Sequence, residues 1–140
     1  HSASIGVYVY GLVGAHVAFE MILKAFALGD VDGLKPLVSN EVYANFAKAI
    51  QDREHEGHVM EDTLVGIMKS EMVEAYMDED IAHVTIKFNS EQINAVRDEN
   101  GDVIEGDANV VLKVTDFWTY ARDTKNSDPN WLLVATRSLE

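Results

Sequence analysis

The sequence predicts a single α+β domain in which helices come first and strands follow. Three observations predict it. Apolar residues recur at spacings of three and four over the first ~55 residues, as on one side of a helix. From Ala82 to Phe88 they alternate with polar ones, as in a strand with one dry face. Turn signals such as Asn100-Gly101 and Asp128-Pro129-Asn130 punctuate the second half.

The first helix is predicted over about residues 14 to 28. Phe19, Ile22, Leu23 and Phe26 form its inner stripe, Met21, Ala25 and Leu28 widen it, and Glu20 and Lys24 make an i, i+4 ion pair outside. Gly29 is placed to end it, and Asp30 to cap a short helix carrying Leu34, Leu37 and Val38. A third helix is predicted over about residues 40 to 55, with Val42, Tyr43, Phe46, Ala47 and Ile50 inside and Gly57 as its stop. Residues 64–77 remain open between two readings: Met60, Leu64, Met68 and Met72 suit a helix, whereas Val65–Ile67 and Val73–Ala75 suit a twisted strand.

The next strand runs through Ala82, Val84, Ile86 and Phe88. Its apolar signal then moves to Ile93 and Ala95, so a bulge is predicted near residues 89–92. After turns at Asn100-Gly101 and at Gly106 to Asn109, Val110, Leu112, Val114, Trp118 and Tyr120 share one face of a long strand. The last strand, residues 131–136, is apolar on both faces, which predicts a central position.

The 140 residues suit one hydrophobic core. With 24 acidic side chains against 11 Lys and Arg, the net charge is −13, which argues against nucleic acid as a partner. There is no cysteine, hence no disulfide, thiolate metal site or cysteine nucleophile. No run of 18 apolar residues is present. Residues 1–13 form an apolar leader ahead of a domain spanning residues 14–140, and no acid precedes Glu20. In that leader, Val7, Tyr8, Val9, Tyr10, Leu12 and Val13 are candidates for contact with a membrane or a partner, since aromatic rings with polar tips favour interfaces. The first residues and Leu139-Glu140 have the look of cloning additions, so a longer natural protein with its targeting segment upstream is expected.

Few residues suggest chemistry. Asp116 interrupts an apolar face between Val114 and Trp118. A buried carboxylate there is either a general base in a pocket or one half of a structural ion pair. Arg97, Arg122 and Arg137 are candidate partners, and Asp116–Arg122 is the pair carried forward. His55 and His58 lie among Glu54 and Glu56, but Gly57 separates them, so a solvated helix end is expected rather than a metal site. Asp98, Asn100 and Asp102 mimic half a calcium loop, yet the position that needs glycine is Val103. No phosphate-binding glycine loop or nucleophile elbow occurs, and no cofactor is expected.

Several stretches carry a family resemblance: GAHVAFEMILKAFALGD (14–30), REHEG (53–57), VTIKFNSEQ (84–92), RDENGDVIEGD (97–107), VTDFWTYARD (114–123) and DPNWLLVAT (128–136). In this order they resemble the Tim44-like family, the C-terminal domain of translocase-of-the-inner-membrane subunit 44 and its bacterial relatives. The Asp-x-Trp-x-x-x-Arg run at 116–122 and the Asp-Pro-Asn-Trp at 128–131 are its more specific parts. The resemblance implies a nuclear transport factor 2-like cone. N-terminal helices would close a curved, mostly antiparallel four-stranded sheet around an apolar pocket, with residues 64–77 as its first strand. Phe19, Leu23, Phe26 and Phe46 would line that pocket from the helices, and Ile86, Phe88, Val114, Trp118 and Tyr120 from the sheet. It also implies a non-enzymatic adaptor, peripheral to an inner membrane on its matrix or bacterial cytoplasmic face, with protein partners that include a chaperone and a lipid surface. The competing readings are a small-molecule pocket or isomerase- or dehydratase-like enzyme on the same fold, and a module that self-associates through the leader.

Overall fold

The computed structural model describes the backbone of residues 2–139 and the side chains of residues 14–139. Helix α1 is Ser2–Leu28, α2 is Val31–Leu34 and α3 is Asn40–His55, with a 3-10 turn at Lys35–Leu37. The strands are β1 Val59–Asp78, β2 Ile81–Arg97, β3 Val103–Gly106, β4 Leu112–Asp123 and β5 Leu132–Leu139. The expected four-stranded sheet has a fifth member: the path is β1-β2-β4-β5, and the short β3 pairs with the far end of β2. All strand pairs are antiparallel, and the sheet is curved and open.

The helix ends follow from local chemistry. Both long helices stop in a Schellman motif, where a glycine takes the left-handed conformation that side chains resist. At Gly29 (φ 73°) the Asp30 N–H donates to Ala25 O and the Gly29 N–H to Phe26 O. At Gly57 (φ 75°) the His58 N–H donates to Arg53 O and the Gly57 N–H to Glu54 O. Asp30 and Ser39 cap the starts of α2 and α3 by accepting from the N–H groups of Gly33 and Val42. Helix α1 begins far earlier than residue 14, so the boundary drawn after residue 13 lies inside it. Glu20 Oε1 lies 3.4 Å from His16 Nε2, one turn back, and this contact replaces the expected Glu20–Lys24 pair.

The core lies between α1 and the even-numbered face of β2 and β4. Register sets Val84 beside Tyr120, Ile86 beside Trp118 and Phe88 beside Asp116. Phe19 of α1 fills the middle, stacked 4.1 Å from the Phe88 ring and 4.4 Å from the Trp118 ring. Leu34, Val38, Val42, Ile50 and Leu133 complete the core.

Segment 64–77 is strand throughout, the first of the sheet, as the family resemblance implies. Two other strand expectations need correction. The bulge expected in β2 belongs to β1, whose register with β2 slips at Val65, Met68 and Val73. On β2 the buried face continues through Ser90 and Gln92, and changes parity only where its neighbour β4 ends and β3 begins. Finally, β5 lies at an edge of the sheet, not at its centre. It is apolar on both faces because the chain before α3 covers it: Val38 bridges Leu133 in parallel, and the Ser39 N–H donates to Leu133 O.

Candidate functional site

The residues expected to line a deep pocket divide into two groups. Phe19, Ile86, Phe88, Trp118 and Tyr120 are buried against one another, because the Phe19 ring occupies the space the cone would enclose. Phe46 packs 5.1 Å from the Phe26 ring, and Val114 is half-buried. Leu23 and Phe26 face an open cleft at the rim of the cone.

That cleft has a volume of about 620 Å³. Its helical wall is the last two turns of α1, where Glu20, Leu23, Lys24, Phe26 and Leu28 reach it. Its other wall is the start of β1, from Met60 to Gly66, with Gln92 of β2 behind. Arg53 of α3 holds the inner end. Its guanidinium donates to the carbonyls of Phe26 and Ala27 and lies over the Phe26 ring at 5.0 Å. The β1 wall escaped the sequence reading because β1 begins at Val59, before the segment 64–77 that the resemblance makes a strand.

Two carboxylates of the cleft, Glu61 and Asp62, have perturbed surroundings. Glu61 bonds Arg97 Nε at 2.6 Å, and that hydrogen bond holds its carboxyl below the usual range. Asp62 is pushed up, first by burial, against the opposing pull of the Ala95 backbone and the Arg53 charge. Gln92 Nε2 donates to Ser90 Oγ, so this buried amide is partnered.

Asp116 is buried, but its partner is Ser138, whose hydroxyl donates to Oδ1 at 2.6 Å, and not Arg122. Geometry explains the correction. Six residues along a strand separate Asp116 from Arg122 by ~20 Å, beyond the reach of an arginine. Arg122 sits opposite Ala82 at the other end of β4. Arg97 is bound to Glu61, and Arg137 lies over the Phe117 ring. Tyr120 donates its hydroxyl to Ala15 O, and burial pushes its phenol far up. Asp116 and Tyr120 thus serve structural bonds rather than one reaction centre.

Burial raises the pKa of Asp116, and the Ser138 hydrogen bond only partly opposes it. A group raised in the folded state favours folding in its protonated form. That stabilisation is complete below the unfolded pKa and is lost as pH rises through the folded one. Asp116→Asn keeps an acceptor for Ser138 without the buried charge. It is expected to unfold at higher urea than wild type at pH 7, with the gap closing as pH falls through the carboxylate range. A variant less stable than wild type at neutral pH would show that a cation compensates Asp116 after all.

His58 Nδ1 lies 3.3 Å from Glu56, across the turn that separates it from His55. Asp98 Oδ1 accepts from the N–H groups of Asn100 and Asp102, capping its own turn. Among the described residues, no cluster of three or more His, Asp and Glu is set to hold a metal. Among the same residues, no helix is long and apolar enough to cross a membrane. Val7, Tyr8, Val9, Tyr10, Leu12 and Val13, the candidate membrane or partner contacts, lie outside the residues whose side chains are described.

The molecule is thus an α+β cone with a plugged interior and an open, half-apolar cleft at one rim. The chain belongs to the Tim44-like domain family, whose model matches residues 12–138. It is 27% identical over 108 residues to the human mitochondrial import inner membrane translocase subunit TIM44, covering 77% of this chain and 24% of that one. It is 29% identical over 97 residues to TIM44-1 of Arabidopsis thaliana, covering 69% and 20%. The chain therefore spans about a quarter of the length of these relatives. Among solved structures, the intermembrane space region of the chloroplast protein ARC6 superposes with a TM-score of 0.63 at 14% identity, covering 91% of this chain and 95% of that one. That likeness is one of fold alone.

Proposed function

We propose that this chain is a non-enzymatic adaptor domain that works at the surface of an inner membrane. It engages protein components of a translocation or membrane-assembly machinery, a chaperone among the candidate partners. The membrane face is the matrix face in a mitochondrion and the cytoplasmic face in a bacterium. The observation that carries this reading is the family relation across residues 12–138, to proteins that are themselves subunits of an inner membrane translocase. The plugged cone supports it from the other side, since Asp116 and Tyr120 are spent on structural bonds.

Membrane contact belongs to the leader. Burying Val7, Tyr8, Val9, Leu12 and Val13 yields several kcal/mol at roughly 25 cal/mol per Å² of apolar surface. The acidic body opposes approach to anionic headgroups, but that repulsion is screened over ~8 Å at physiological salt. The test is flotation of the full chain, and of the chain lacking residues 1–13, with inner membranes, protease-shaved inner membranes and protein-free anionic vesicles. Binding to native membranes is expected to fall on shaving. Binding to protein-free vesicles is expected to hold or strengthen with salt and to vanish with the leader. If the full chain floats with none of the three at any salt, the adaptor reading fails.

A further inference from the structure

The outer edge of β1 has a feature that the cleft does not use. Among the described residues, β1 pairs only with β2, and no strand lies beside its other edge along 20 residues. Each of its three register slips leaves an aliphatic residue with no partner opposite: Val65, Met68 and Val73. All three are exposed, at 51, 60 and 46%. Inserting residues that face water gains nothing for the core, and an exposed apolar row on a free edge invites aggregation unless something covers it. Val65 also lines the cleft, so the row continues from it.

Three facts select the occupant. Bulges throw the edge hydrogen-bonding groups out of step, so adding a strand is disfavoured and docking must go through side chains. Residues 59–80 carry seven carboxylates and a single lysine, Lys69, which repels a second copy and an anionic membrane and attracts a basic surface. The spacing suits a helix. Measured along β2 at ~3.3 Å per residue, Met68 lies two residues (~7 Å) and Val73 six residues (~20 Å) beyond Val65. At ~1.5 Å rise and ~3.6 residues per turn, helix positions i, i+4 and i+14 lie ~6 Å and ~21 Å apart on one face.

We propose that the bulged edge of β1 is a docking rail for a basic amphipathic helix of a protein partner, with Val65, Met68 and Val73 as the apolar contacts and the flanking carboxylates as the charged ones. The proposal rests on the adaptor reading but assigns it a surface. The probe is a synthetic amphipathic peptide of leucine and lysine, about 20 residues long, titrated into isotopically labelled protein and followed by amide chemical shifts. Expected are saturable shifts along β1, binding at least tenfold weaker in V65S/M68S/V73S and in E71K/E74K, and no comparable binding of the same peptide with glutamate for lysine. Glu71 is half-buried and the other substituted residues are exposed, and thermal melts confirm that both variants fold. Wild-type affinity in V65S/M68S/V73S overturns the proposal, as does equal binding of the acidic peptide. Shifts confined to another face overturn the rail and leave the adaptor reading standing, because flotation tests that separately. A dimer of the wild type that V65S/M68S/V73S dissociates would assign the edge to a second copy and overturn the proposal too.

Discussion

Phe19→Ala is expected to lower the unfolding free energy by about 3 to 5 kcal/mol, the range for removing a fully buried phenylalanine. Phe19 is 0% exposed and packs its ring against two aromatic residues of the sheet, Phe88 and Trp118. Its ring stands where the cone would otherwise be hollow. Deleting it removes the transfer free energy of the ring and leaves a hole that the stiff sheet cannot close, because β2 and β4 are paired without a slip from Ile81 to Gln92. Phe19→Leu refills most of the volume and should cost much less. Urea titration reads both, and Trp118 fluorescence should report water entering beside it. A loss below about 1 kcal/mol would mean that α1 slides to fill the gap and does not act as a fixed plug.

Where the chain obeys a single period, its fold was legible. Asn40–His55 follows its apolar stripe up to the glycine stop at Gly57, though its Ser39 cap was not read. Val84, Ile86 and Phe88 alternate and are buried as the alternation predicts. By periodicity alone β1 was illegible, and for a physical reason. Leu64, Ile67, Ser70 and Met72 oppose the buried face of β2, but two of the inserted residues stretch the strand spacing from two to three. A spacing of three is what a helix shows, so the bulges imitate a helix in the sequence. The cleft was lost with that strand, because half its wall is Met60 to Gly66. The partner of Asp116 was missed because Ser138 is no charge-bearing candidate, and only the β4–β5 register brings it opposite. The family resemblance was legible because it rests on short runs that survive any error in assigning elements.

Arg53→Ala is expected to cost about 2 to 4 kcal/mol, a large effect for a side chain that is not in the core cluster. One guanidinium ties its own helix α3 to two other elements. It donates to the carbonyls of Phe26 and Ala27 in the last turn of α1, lies over the Phe26 ring, and points a nitrogen at Met60 Sδ, 3.4 Å away at the start of β1. Those carbonyls form the negative end of the helix dipole, where a cation is favoured. Hydrogen bonds to a charged group contribute about 1.5 to 3 kcal/mol, and a cation over a ring adds about 0.5 to 1. Burial draws the guanidinium pKa down, while the charges of Glu54 and Asp62 hold it up. Arg53→Lys keeps the charge but not the second nitrogen that reaches Met60 nor the planar group over the Phe26 ring, so it should recover less than half of the loss. The damage should also be local. Phe26, Ala27 and Met60 all face the cleft, so faster amide exchange is expected in the last turns of α1 and the first residues of β1, with β4 still protected. Uniformly faster exchange would mean that Arg53 supports the whole fold. A loss under about 0.5 kcal/mol would show that solvent replaces its bonds at no cost and that the cleft wall stands without it.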